Sequence, residues 1–140
     1  MKKEIYEKLE LLKKYVEILK GYANYPRSKL EKDFTLRGAA ERYLQLSLEI
    51  VIEIGEMIIA KEGFRKPEKH REVIEILGEN KIIPAPFAVK FAPSAGLRNI
   101  LVHRYGEIDF EIVYSHLRKN LNDFDTFAKH AALYLKKQKQ

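Results

Sequence analysis

The sequence contains no cysteine, which excludes disulfides, thiolate nucleophiles and cysteine-ligated metal sites. It also lacks a long uncharged apolar run. The most apolar stretch, residues 44–60, is interrupted by one glutamine and three glutamates, so it is not predicted to span a bilayer. Residues 1–7 contain no apolar signal-peptide core. We therefore expect a cytoplasmic protein without a membrane anchor.

The charge balance of the chain is basic. Lysine and arginine number 26 against 20 aspartates and glutamates, which gives a formal net charge of +6. Basic surfaces attract nucleic acids by displacing condensed counterions, but many basic proteins bind none, so charge permits an RNA or DNA partner without identifying one. The 140 residues are 46% hydrophobic, enough for one buried core. We predict a single domain over residues 1–140.

Apolar residues recur at helical spacing at both ends of the chain. Near the N-terminus, steps of four and three connect Ile5, Leu9, Leu12, Val16 and Leu19. After Asp109, a favourable N-cap residue, a similar series connects Phe110, Val113, Leu117, Leu121, Phe124, Ala128, Ala131 and Leu135. Both series predict amphipathic helices.

Residues 36–60 predict a helix that is apolar around most of its circumference. Such a helix is central in the fold or pairs with another subunit. Its polar positions, Gln45, Glu49, Glu53 and Glu56, follow steps of four, four and three, which align them as one stripe. We interpret the stripe as a solvated or subunit-facing edge rather than a metal site, because a metal would need convergent ligands from elsewhere.

Proline and glycine mark the remaining boundaries. The residues after Pro26 are expected to be a linker, in which Asp33 and Thr35 are both possible N-cap residues for the central helix. Pro67 is expected in the first turn of a short third helix, and Pro93 is expected to kink or restart the helix after it. No alternating strand pattern bounded by turns appears. The predicted fold is therefore all-α, an up-and-down bundle of about five helices.

The segment 98–105 is the one place in the chain whose residues suggest chemistry. It sets Arg98, His103 and Tyr105 at short intervals among apolar residues. Arginine is always charged and forks onto phosphate oxygens, whereas histidine can take and give a proton near neutral pH. Together the arginine and the histidine suggest a reaction on a phosphodiester.

Helical geometry complicates this interpretation. On an ideal helix Arg98 and His103 lie about 140° apart, so they do not converge on one phosphate from a single straight segment. In a twofold dimer the arginine of one chain can approach the histidine of the other. We therefore expect a homodimer with a shared site, and a chain that sediments as a monomer at micromolar concentration would contradict this.

The segment resembles the signature of the HepT toxin family, within the HEPN superfamily. That signature is an arginine, four residues, a histidine, one residue and a tyrosine, and it is met here by Arg98, His103 and Tyr105, with Asn99 after the arginine. The similarity extends to residues 41–55 and to the final helix, so it covers most of the chain.

The resemblance implies a HEPN-like dimeric helical bundle with a ribonuclease cleft between the subunits. It assigns phosphate binding to Arg98 and general acid or base catalysis to His103, while Asn99 either orients His103 or is simply a capping or solvated residue. It makes Tyr105 the residue onto which a nucleotidyltransferase antitoxin of the MntA type transfers AMP, silencing the nuclease. The substrate would be RNA, and no metal or cofactor is called for.

Each motif residue also has an ordinary structural interpretation. Arg98 could pair with a glutamate, His103 could be a half-buried hydrogen-bonded histidine, and Tyr105 could be a helix-end aromatic. The corresponding alternative function is a non-catalytic helical partner that a nucleotidyltransferase modifies, and a small-nucleotide-binding bundle ranks third. The remaining histidines, expected at the surface, are His70, His116 and His130.

Overall fold

The computed structural model describes residues 1–103 and 108–138, with the backbone only at His103. These residues form α-helices and one π-helical turn, and they contain no strand. The elements are α1 (Lys2–Tyr22), α2 (Arg27–Lys32), α3 (Phe34–Glu62), α4 (His70–Glu79), α5 (Ala85–His103), α6 (Phe110–Ser115), the π-helical turn (His116–Asn120) and α7 (Leu121–Lys137). The prediction of an all-α fold is confirmed.

Helix α3 is the central element of the bundle. It packs against α1, α4, α5 and α7, because apolar residues cover most of its circumference. Its buried residues are Ala40, Leu44, Ser47, Leu48, Ile50, Val51, Ile52, Ile54, Gly55, Ile58 and Ile59. At Gly55 an added Cβ would lie only 2.4 Å from Cγ1 of Val73, so the glycine permits the close approach of α4.

The long helices alternate in direction, as an up-and-down bundle requires. Lys8, early in α1, bonds Glu53, late in α3, at 3.3 Å, while the rings of Tyr22 and Tyr43 lie 6.4 Å apart near the opposite ends. Helices α1 and α3 are therefore antiparallel. No helix in the described parts of the chain is both long and apolar enough to cross a membrane.

The linker predicted between α1 and α3 contains the short helix α2. Its buried Leu30 anchors it to the core, and a single buried residue in six gives too little periodicity to be recognised in the sequence. The predicted cap of α3 is confirmed, because the side chain of Asp33 accepts hydrogen bonds from the backbone N–H groups of Thr35 and Leu36, both at 3.1 Å.

Helix α4 begins at His70, so the predicted start at Pro67 is wrong. The carboxylate of Glu72 accepts hydrogen bonds from the backbone N–H groups of Glu68 at 2.8 Å and Lys69 at 3.0 Å. These bonds fix the N-terminus of the helix three residues later than the proline. They also hold the pKa of the Glu72 carboxyl below its usual value, with the Glu68 N–H as the largest cause.

Helix α5 continues through Pro93, where a kink or a restart was expected, so the helix does not restart there. A proline removes the donor for the carbonyl four residues earlier, which here belongs to Val89. Both Pro93 and Val89 are exposed, so water can replace the lost hydrogen bond at this position. The expected cap at Asp109 is confirmed, since its side chain accepts from the N–H of Glu111 at 2.9 Å, but the single long helix expected after it is divided into α6, the π-helical turn and α7.

Candidate active site

Arg98 lies on α5 and points at the central helix α3. Its Nε donates to Oε2 of Glu49 at 3.2 Å, and its second terminal nitrogen lies 3.0 Å from the same oxygen. Both side chains are about a quarter exposed, at 26% and 27%. The pairing with a glutamate, anticipated as the ordinary structural interpretation of Arg98, is therefore present, and it leaves the guanidinium at the surface in a fixed orientation.

The other edge of the Arg98 guanidinium meets Asn99. Its Nη1 donates to Oδ1 of Asn99 at 3.3 Å, in an exposed position. A guanidinium carries five N–H groups, and three are engaged by Glu49 and Asn99, so two remain to bind an anion. Asn99 thus contacts the arginine, whereas its predicted effect on His103 concerns a side chain that the structure does not describe.

The residues on both sides of positions 104–107 are attached to α3. On one side is the contact between Arg98 and Glu49. On the other, Arg37 donates to the carbonyl of Ile108 at 2.7 Å and is held by Glu41 at 3.1 Å. The contacts that these two flanking residues make on α3 are therefore at positions 49 and 37.

A cluster of arginines and aromatic rings supports the start of α6, directly after the motif. The guanidinium carbon of Arg27 lies 5.5 Å from the ring centre of Phe110 and 5.1 Å from that of Tyr114. Arg37 lies 5.1 Å from the ring of Phe110, and Arg27 also pairs with Glu111. Cation–π contacts of this kind stabilise the arrangement. Sequence reasoning missed the cluster, because its members are up to about 90 positions apart in the chain and share no spacing.

The sequence-predicted site residues are described to different extents. Arg98 and Asn99 lie side by side, one turn from the end of α5 at His103. The side chain of His103 and the whole of Tyr105 fall outside the described residues, so their roles and the proposed dimeric convergence stay predictions.

The stripe of glutamates on α3 is an ion-pairing edge. Glu49 binds Arg98 and Glu53 binds Lys8 on α1, while Gln45 donates weakly to Glu49 at 3.5 Å. The described part of the chain contains no cluster of three or more His, Asp or Glu residues arranged to hold a metal ion.

His116 is half-buried, so the expectation that it lies on the surface is wrong. It begins the π-helical turn, and its Nδ1 lies 2.9 Å from the carbonyl of Ile112. Its Nε2 lies 3.4 Å from the hydroxyl of Ser94, which is buried on α5 one turn before Arg98. A donated Nδ1–H makes Nε2 the acceptor of the serine proton. The contact ties the π-helical turn to the helix that carries Arg98.

Comparison with known proteins points to one family. Residues 11–131 match the family described as Ribonuclease HepT-like. The chain is 31% identical over 128 residues to the tRNA nuclease HepT of Aphanizomenon flos-aquae, covering 91% of this chain and 87% of that protein. It is 32% identical over 100 residues to the mRNA nuclease HepT of Shewanella oneidensis, covering 71% and 75%.

Solved structures agree with these relatives. The chain superposes with a TM-score of 0.83 on the tri-AMPylated Shewanella oneidensis HEPN toxin in complex with the MNT antitoxin, at 27% identity over 92% of this chain and 96% of that one. It superposes with a TM-score of 0.84 on a toxin–antitoxin complex with AMP-PNP, at 26% identity over 92% and 97%. With a match over most of its length and a shared helical fold, this chain belongs to the HepT-like ribonuclease family.

Proposed function

We propose that this chain is a metal-independent endoribonuclease toxin of a toxin–antitoxin system. It acts on cytoplasmic RNA as a homodimer of one-domain subunits, each formed by residues 1–140, and a nucleotidyltransferase antitoxin of the MntA type silences it. The observation that carries the proposal is the Arg98 guanidinium. It is held by two N–H groups on one carboxylate oxygen and is about a quarter exposed, on helix α5, which carries His103.

The chemistry of RNA cleavage fits these residues. RNA supplies its own nucleophile in the 2′-hydroxyl, so cleavage needs a base near that oxygen, an acid near the leaving 5′-oxygen, and positive charge for the phosphorane. His103 of one subunit would act as general base or acid in a site that it shares with Arg98 of the other subunit. Arg98 would stabilise the negative charge that develops on the phosphate oxygens. No step in this scheme requires a metal ion.

Tyr105 would be the regulatory site. Its phenolic oxygen would attack the α-phosphorus of ATP bound by the antitoxin, forming a phosphodiester to AMP and releasing pyrophosphate. The attached nucleotide would bring negative charge beside Arg98 and compete with RNA for the arginine. The relative seen as a tri-AMPylated toxin with its MNT antitoxin supports this role.

The proposal is tested by the activity and mass of the protein produced alone and with its antitoxin. Produced alone, the chain is expected to cleave single-stranded RNA with EDTA present, and a 2′-deoxy substitution at the cleaved position should block the reaction. Produced with the antitoxin, it should carry AMP on Tyr105, measured by intact mass and peptide mapping, and should lose the activity. A Tyr105→Phe chain should stay active in both preparations.

Two results would contradict the proposal. Tyr105 adducts without RNA cleavage by any preparation would favour a non-catalytic partner that is only a substrate of the nucleotidyltransferase. Cleavage that disappears in EDTA and returns with a divalent cation would exclude the metal-independent mechanism.

Glu49 should matter to this reaction as a positioning residue, because it orients Arg98. We expect Glu49→Ala to lower cleavage about tenfold, the effect of losing one charge-assisted contact of roughly 1.4 kcal/mol. Glu49→Gln keeps an acceptor for the arginine and should retain more activity. The matched control is Glu53→Ala, one turn further along the same face of α3, where the partner is Lys8. Equal activity of Glu49→Ala and Glu53→Ala would exclude the positioning role.

A further inference from the structure

Phe34 is the most exposed of the large apolar side chains in the described residues. It is the first residue of α3, and 82% of its surface is accessible to solvent, ahead of Val89 at 76%. Aromatic rings dominate burial energetics in folded proteins. The exposed phenyl ring of Phe34, at the start of a 29-residue helix, is therefore available to contact a ligand or a partner.

The residue one helical turn after Phe34 is Gly38, which adds no side chain that could cover the ring. On a helix the side chain four residues later leans back toward the N-terminus and covers its predecessor, but a glycine has none. A Cβ built at Gly38 would meet no atom within 4 Å. The glycine is therefore not required for packing, and its effect is to leave a recess open beside the ring.

The recess combines an aromatic ring with fixed polar groups. It has a volume of about 300 Å³ and is lined by Phe34, Arg37, Gly38, Glu41 and Ile108. Arg37 is held by Glu41 and by the carbonyl of Ile108, so its guanidinium is preorganised. A stacking ring beside a fixed donor and a carboxylate acceptor is the chemistry by which proteins bind unpaired nucleobases, which stack on aromatic side chains and hydrogen-bond along their edges.

The recess and the Glu49 contact of Arg98 lie at two positions along the same helix, α3. Gly38 precedes Glu49 by eleven positions, which is about 16 Å along a helix, and Ile108 follows the motif directly. Two exposed cations, Lys32 and Arg42, are close in the sequence to the residues that line the recess. We propose that this recess binds an unpaired nucleobase of the RNA, a few nucleotides from the cleaved bond; this rests on the ribonuclease function proposed above.

The composition of the recess favours RNA over a protein surface. The centre of a stable protein interface is apolar and depleted of charge. Here the wall has one aromatic ring and one isoleucine, and the other lining residues are an arginine, a glutamate and a glycine. Polar groups fixed around a single stacking surface suit a planar ligand with donors and acceptors on its edge.

The test is steady-state cleavage of a single-stranded RNA by otherwise wild-type protein. Phe34→Ala is expected to raise KM by roughly 5- to 150-fold, the range measured for loss of one base–aromatic stack, with kcat little changed because uniform binding is removed. Phe34→Tyr should behave as wild type. Gly38→Leu should raise KM while raising the Tm, because it fills the recess and replaces a helical glycine. The matched control is Val89→Ala, which removes the other highly exposed apolar side chain and should change neither value.

Binding to an abasic RNA identifies the contact as a base. In a His103→Ala background, which prevents cleavage, Phe34→Ala should weaken the binding of intact RNA but not of the same strand with abasic sites. Unchanged KM in Phe34→Ala, or equal weakening on abasic RNA, would overturn the proposal. So would dissociation of the dimer or loss of antitoxin binding in Phe34→Ala with RNA affinity unchanged, which would assign the ring to a protein contact. Failure of the ribonuclease function itself is distinct, since wild-type protein would then cleave no RNA.

Discussion

Replacement of Arg98 by alanine is expected to lower the rate of RNA cleavage by at least about 100-fold, the loss typical when one preorganised donor to a developing anion is removed. Replacement of His103 by alanine is expected to cost roughly 10² to 10⁴ in rate, the usual contribution of a positioned acid or base. The measurement is single-turnover cleavage at saturating protein, which separates chemistry from binding.

The fold should survive both substitutions. The ion pair of Arg98 with Glu49 is about a quarter exposed on each side, and pairs near the surface contribute only about 0–1 kcal/mol to the free energy of unfolding. A small change in Tm together with a large loss of rate would therefore place the effect in the site.

Arg98→Lys supplies a sharper comparison. It keeps the charge but lacks the planar guanidinium that directs two fixed N–H groups at Glu49, so it should remain well below wild type. Wild-type rates of RNA cleavage in both alanine variants would exclude this motif as the ribonuclease site.

The helices were predictable where the pattern was long and regular. The largely apolar stretch of α3 could only be central or subunit-facing, and residue type indicated a cap at Asp109 and one at Asp33 or Thr35. The start of α4 was misplaced because a proline is a weaker determinant than the Glu72 carboxylate, which collects two backbone N–H groups. Pro93 was misjudged because its effect depends on exposure, which the sequence does not give.

The same contrast between local sequence patterns and long-range contacts applies to the candidate site. The spacing of Arg98 and His103 is local and can be read from the sequence, whereas the partner of Arg98 lies 49 positions away on another helix. Glu49 belonged to a visible stripe, but nothing in the stripe distinguishes it from Glu53, which pairs with Lys8. The recess beside Phe34 could not have been found from the sequence, since it depends on Ile108 returning to α3 next to Arg37.

Mixed dimers should restore activity that neither parent variant has. A chain with Arg98→Ala and a chain with His103→Ala, carrying different affinity tags and purified through both, form a heterodimer. If the arginine of one subunit works with the histidine of the other, one of its two sites is fully wild type and the other lacks both groups. The expected rate is about half that of wild type, at least roughly 50-fold above either variant homodimer.

The reciprocal heterodimer gives the opposite result and therefore identifies the arrangement. When a wild-type chain pairs with a chain carrying both substitutions, a site shared between subunits always lacks either Arg98 or His103, and the dimer should be inactive. If both residues act within one chain, this dimer would instead keep about half the activity, and the first heterodimer would have none. The angle of about 140° between the two residues on an ideal helix favours the shared arrangement. Because α3 holds Arg98 through Glu49, that arginine has a fixed direction, and in the shared arrangement the histidine of the other subunit would have to approach it from there.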